Sequence, residues 1–191
     1  ISTDVGCNNP NSVVLMPNGL LFNSPKGIYL LGRDLQVSYL GAPVERFNSL
    51  TISSSILLNN KNQVRFTTED GSALVYDYYI NEWTTFTNYE AVDCDVYNGE
   101  FVLLRSNGKV MMENNLSFKD QVSTSEYQAV KLVAETTNLS LAQLEGFQRV
   151  YRVAILGEYK GAHTMQISFA YNFDPEFSDS ATFDATTVIG S

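Results

Sequence analysis

A hydrolytic triad needs a base beside a nucleophile, and the chain offers a single histidine, His163. It sits in the segment Gly161-Ala162-His163 between two strand-like runs, which makes it a solvated hairpin-tip residue in preference to a catalyst. A glycosidase needs two carboxylates at a defined separation. Asp93 and Asp95 flank Cys94 at i and i+2, so on a strand they share one face. Acidic residues on the wet face of an edge strand explain that spacing more simply. Asp174, Glu176 and Asp179 gather hard oxygen ligands of the kind Ca²⁺ accepts. The EF-hand spacing is absent there, however, and Pro175 marks a turn. Phosphate loops and Rossmann glycines are missing. These residues predict no catalytic constellation, no metal site and no cofactor.

Two groups of side chains suit binding. Tyr76, Tyr78, Tyr79, Trp83, Phe86 and Tyr89 are dense enough for a sugar-stacking platform, with Tyr76 and Tyr78 on one strand face and Tyr79 on the other. Tyr76, Tyr78 and Trp83 are the candidate glycan contacts; the competing reading is core or inter-sheet packing. Arg149 and Arg152 in QRVYR are the candidate subunit contacts, because Arg is enriched at interfaces. A solvated strand edge accounts for them equally well.

The elements that would position these residues are strands. Met165, Ile167, Phe169, Tyr171 and Phe173 alternate with Gln166, Ser168 and Asn172, the period-2 mark of a half-buried strand. Val64, Phe66 and Thr68 alternate similarly, as do Phe101 and Leu103. The 11 tyrosines and 11 phenylalanines fit pleated surfaces. Helical spacing is weak: Leu141, Leu144 and Phe147, with Ser140 and Gln143 as a capping box, predict one or two turns before Gly146. Asn107–Gly108 predicts a type I′ hairpin between FVLLRS and KVMMEN. Asp70–Gly71 marks a second hairpin, and Pro25-Lys26-Gly27 a third. The turn glycines Gly27, Gly71 and Gly108 recur roughly 40 residues apart, the period of a four-stranded propeller blade. The run from Tyr76 to Trp83 fits the strand, short turn and Trp of a kelch-type blade.

A polar connector over residues 114–126 separates this rhythm from longer strands beyond. The expected architecture is all-β, with partial propeller-like sheets in residues 1–118 and a β-sandwich-like unit in residues 119–191. Two to three blades fit the first part, fewer than the four or so that a complete propeller needs.

Composition sets the outer bounds. The 191 residues suffice for a sizeable core, and 44% hydrophobic against 17% charged residues is a globular balance. No apolar run reaches the ~18 residues of a membrane-spanning helix. A net charge of −9 argues against gripping a nucleic-acid backbone. Cys7 and Cys94 lack metal-ligand spacing; free buried thiols are the favoured reading, with a disulfide left open. The chain begins at Ile1 without a signal-peptide pattern, and is expected to be a fragment or a processed product.

The stretches GCNNPNSVVLMPNGLLFNSPKGIYLLGRDLQVSYLGAPVE (residues 6–45) and VRFTTEDGSALVYDYYINEWTTF (64–86) resemble the propeller-bearing tail tubular, nozzle or packaged-DNA-stabilisation proteins of short-tailed bacteriophages. LEGFQRVYRVAILGEYKGAHTMQISFAYNFD (144–174) is similar to the domain that follows the propeller there. Together these cover about half of the chain. The resemblance implies a non-catalytic structural component of the virion tail, assembled in the host cytoplasm. In it the full-length protein self-associates into a ring, contacts portal and tail neighbours, and meets DNA only as a non-sticking passenger, with no membrane involved. Two rival expectations are a host-recognition or carbohydrate-binding module, and a fragment of a tail-associated glycoside hydrolase.

Overall fold

The computed structural model of the protein describes residues 5–114, 117, 119–121, 125–136, 139, 150–156, 163–172, 174 and 176–184. Strands make up nearly half of these. The helical segments among them are short 3-10 turns at Pro10–Ser12, Ala42–Phe47 and Asn59–Lys61. The protein is all-β, as the alternation predicts. The expected turns over Leu141, Leu144 and Phe147 lie outside the described residues.

Three antiparallel meanders follow one another. The first sheet is β1 (Val14–Met16), β2 (Gly19–Ser24), β3 (Gly27–Gly32) and β4 (Val37–Tyr39), in that spatial order. The second is β5 (Ile52–Leu58), β6 (Gln63–Thr68), β7 (Ala73–Asp77) and β8 (Glu82–Phe86). The third holds β9 (Asp93–Tyr97), β10 (Glu100–Leu104) and β11 (Val110–Met112). β1 touches β5 and β5 touches β9, so the first strands of successive sheets run in series. Gly71 and Gly108 lie between the second and third strands of their sheets and Gly27 opens the third strand of its own, which gives the repeat in the sequence its structural meaning.

Turn geometry corrects one expectation. A type I′ turn needs positive φ at both central residues, and of Asn107–Gly108 only Gly108 has it, at 78°. The Gly108 amide donates to the Arg105 carbonyl, and the Arg105 amide to the Lys109 carbonyl, which gives a longer loop. The Asn-Gly pair with both angles positive is Asn98–Gly99, at 51° and 81°, joining Tyr97 to its partner Glu100. Spacing between the paired strands, and not the dipeptide alone, selects the turn.

The second sheet is buried on both sides. Val64, Phe66, Leu74 and Tyr76 face the first sheet and join Val14, Leu21 and Ile28 in one core cluster. On the opposite face Leu58 and the flanking Ile56 pack with Phe101 and Leu103 of the third sheet. Five of the six residues of β6 are therefore buried, where alternation predicts one wet face. At ~25 cal/mol per Å² of apolar surface removed from water, these two seams are what holds the sheets together.

The chain divides into two compact units between Val130 and Lys131. The expected boundary near residue 118 falls within the first unit. There β12 (Lys119–Gln121) pairs with β13 (Tyr127–Ala129), so the polar connector contributes a hairpin of its own. Among its described residues the second unit holds one antiparallel hairpin, β14 (Thr164–Phe169) with β15 (Asp179–Asp184). Met165 and Ile167 lie opposite Phe183 and Ala181, in line with the alternation. Tyr171 lies beyond the end of β14, and Phe173 lies outside the described residues.

Candidate functional site

The strongest concentration of charge lies between the second and third sheets. Alternation along β6 turns Val64 and Phe66 toward the first sheet and Arg65 toward the third, where it is 1% exposed. A buried guanidinium is costly unless every donor is matched. Arg65 Nη1 donates to Glu113 Oε2 at 2.9 Å and Nη2 to Glu113 Oε1 at 3.3 Å. Its Nε and Nη2 both reach Gln63 Oε1, at 3.2 and 2.9 Å. The rings of Phe86 and Phe101 lie 5.3 and 4.9 Å from the guanidinium carbon, in cation–π range. Lys61 Nζ adds a second cation to Glu113 at 3.0 Å and lies 3.8 Å from Glu100.

Burial pushes the Glu113 carboxyl up, but the hydrogen bonds and charges of Arg65 and Lys61 outweigh it and hold the group below its ordinary value. Burial also raises the Tyr89 phenol, with Arg65 pulling the other way. The result is an ion pair whose four guanidinium hydrogen bonds go to Glu113 and Gln63, and it positions two sheets.

A shorter polar string ties β5 to β9. Cys94 Sγ donates to Ser54 Oγ at 3.1 Å, and Ser54 Oγ donates to Asp93 Oδ1 at 2.9 Å. Burial, seconded by the charges of Asp93 and Asp95 against the Ser54 hydrogen bond, raises the Cys94 thiol above its ordinary value. The protonated thiol is a donor here, since nucleophilic attack requires the thiolate. Both cysteines are free, and Cys7 is exposed, not buried as expected.

The sequence-predicted residues fall as follows. Tyr76 is buried in the core between the first two sheets, and Tyr78 and Trp83 pack against that core. The Tyr76 and Trp83 rings lie 4.9 Å apart, and the Trp83 indole N–H donates to the Leu40 carbonyl at 2.9 Å. These aromatics come together as an inter-sheet contact, while Tyr79 is exposed in the β7–β8 turn. Asp93 and Asp95 both lie on β9, where Asp95 Oδ1 accepts from the Val96 amide at 2.7 Å. His163 is exposed just before β14. Asp174 Oδ1 accepts from the Glu176 amide at 2.9 Å, and no metal-ligating cluster occurs among the described residues. Arg152 is exposed; Arg149 lies outside the described residues.

Sequence reasoning missed Arg65, Gln63, Lys61, Glu113 and Ser54. One signal was available: a lone arginine inside the otherwise apolar and β-branched run VRFTT implies a buried charge needing a carboxylate. Which carboxylate it meets depends on how the third sheet packs.

Comparison with protein-family models finds no match, and comparison with curated proteins finds none either.

Proposed function

We propose that the chain is a structural component of a short-tailed phage tail, of the nozzle, tube or DNA-retention type, which acts by assembly without catalysis. The observation that carries this reading is the serial stack of three meander sheets joined through β1, β5 and β9. It supports a propeller-like arrangement for the first unit. The stretches that resemble tail proteins, residues 6–45 and 64–86, are also the stretches that build most of the first two sheets. The hairpin β14–β15 supports a sandwich-like second unit. Such a module resides in the virion, self-associates into a ring in the full-length protein and abuts portal or tail neighbours. The charge of −9 suits a channel wall along which DNA slides without sticking.

The test is electron microscopy of purified particles labelled with antibody to this chain, with charge mapped onto any ring that is resolved. Label on the tail and a lumen lined by carboxylates are expected. Absence from the particle, a ring lined by Lys and Arg, or a full-length monomer that binds glycans would overturn the reading.

A further inference from the structure

A polar cavity of about 80 Å³ opens where the β8–β9 connection, the end of β10 and the β12–β13 hairpin meet. Its lining is Asn88, Glu90, Arg105, Asp120, Gln121 and Gln128. Asn88, Glu90, Gln121 and Gln128 are exposed, so solvent reaches it, while Arg105 and Asp120 are half-buried.

Local structure holds these walls in place. Asn88 has a φ of 65°, and its carbonyl accepts from Arg105 Nη2 at 3.0 Å. The Tyr89 amide donates to the Gly71 carbonyl at 2.8 Å. The stem of Glu90 then lies against Gly71, where a Cβ would come within 2.8 Å of Glu90 Cγ. Asp120 and Gln128 are cross-strand partners, so they approach the cavity from one face of their hairpin.

The hydrogen bonds of this cavity are incomplete. Arg105 Nε is buried and has no acceptor. Among the described residues no ion pair joins Arg105 to Glu90 or Asp120, and neither carboxylate receives a hydrogen bond. A buried donor without an acceptor is costly, and such orphans mark places where water or a ligand sits. One guanidinium stands here against two carboxylates, so the lining carries an excess of negative charge.

We infer that this cavity binds the amino terminus of a peptide chain, with the ammonium against Glu90 and Asp120 and the first carbonyl accepting from Arg105 Nε. The orphan N–H calls for an acceptor, which a bare metal ion lacks. The two carboxylates call for a cation, which excludes a phosphate or a free carboxylate. The excess negative charge favours a ligand with one positive charge, hence an amino terminus over a zwitterionic amino acid. Hydrogen bonds between an ammonium and carboxylates are of the strong, charge-assisted kind. Capture of a terminal amine is a recurring mode of peptide recognition, and the open mouth leaves room for the chain that follows. The inference goes beyond the virion assignment and does not rest on it.

Nuclear magnetic resonance of the 191-residue chain tests it through the Arg105 Nε–H resonance, assigned by its loss in Arg105→Lys. The probes are glycinamide and triglycinamide, at fixed ionic strength and slightly acidic pH so that the amines are protonated. Both are expected to shift the resonance saturably, and glycine to bind more weakly than either. Glu90→Gln and Asp120→Asn are each expected to weaken triglycinamide by about tenfold or more, the loss of a hydrogen bond to a charged group. Circular dichroism checks that the variants are folded, and the ranking of probes on the wild-type chain stands without them. A resonance that neither amide moves overturns the inference. So does an equal response to acetamide, which offers the carbonyl alone, or to methylammonium, which offers the ammonium alone. Saturation by calcium chloride without a response to glycinamide would mark a cation site, and binding of glycinamide but not triglycinamide a small-molecule site; either result overturns it. None of these outcomes decides whether the chain labels a phage tail, which the microscopy answers separately.

Discussion

Arg65 and Glu113 meet across the gap between the second and third sheets, with Nη1 2.9 Å from Oε2, although 48 positions separate them in the chain. Removing one partner of such a pair leaves the other charge without compensation, at a cost of about 3–5 kcal/mol. Arg65→Ala is therefore expected to lower the urea midpoint by that equivalent. The double change Arg65→Met with Glu113→Leu recovers most of the loss, because an apolar pair needs no desolvation. Equilibrium unfolding with an unchanged m-value checks both. A loss under ~1 kcal/mol for the single variant would place the pair among weak surface bridges.

The same pair predicts an acid response. Glu113 has a folded pKa below its ordinary 4.5, so its contribution is fully present above the unfolded carboxylate value and is lost as pH falls through the folded one. The melting-temperature gap between wild type and Glu113→Gln should stay constant from pH 7 to about 5 and narrow below that. A gap that widens on acidification would reverse the assigned sign.

Trp83 joins β8 of the second sheet to the Leu40 carbonyl just after β4 of the first. Trp83→Phe keeps an aromatic body and deletes the N–H, so a loss near 1 kcal/mol is expected, more if the Leu40 carbonyl stays dry. Trp83→Ala also removes the ring beside Tyr76 and should cost about 3–5 kcal/mol. Chemical denaturation of the two variants separates the hydrogen bond from the packing. Equal losses would show that the ring packing adds nothing beyond the N–H.

The two thiols should differ in reactivity. Cys7 is exposed, whereas Cys94 is partly covered, donates to Ser54 and is held as a thiol by burial. Iodoacetamide labelling of native chain, followed by peptide mass spectrometry, should modify Cys7 first, with Cys94 slower by about tenfold or more. Ser54→Ala should widen that gap only modestly, because the Ser54 hydrogen bond opposes burial, which is the larger cause. Equal native rates would mean that β5 and β9 separate readily.

The all-β character was legible in the sequence because alternation and turn glycines are local properties of the chain. Gly27, Gly71 and Gly108 mark equivalent turns, since a strand-turn-strand unit carries its own signals in adjacent residues. The sequence by itself also determined that Arg65 interrupts an apolar run. Other properties were decided only by tertiary structure. Strand alternation predicts one wet face for β6, yet the first and third sheets cover both, and nothing in the local sequence reports how many layers will stack. Tyr76 and Trp83 look the same in sequence whether they stack on a sugar or on each other, and the approach of Leu40 settles where their surface goes. Glu113 becomes the partner of Arg65 because β11 ends beside β6, a consequence of long-range packing that residue spacing along the chain does not encode.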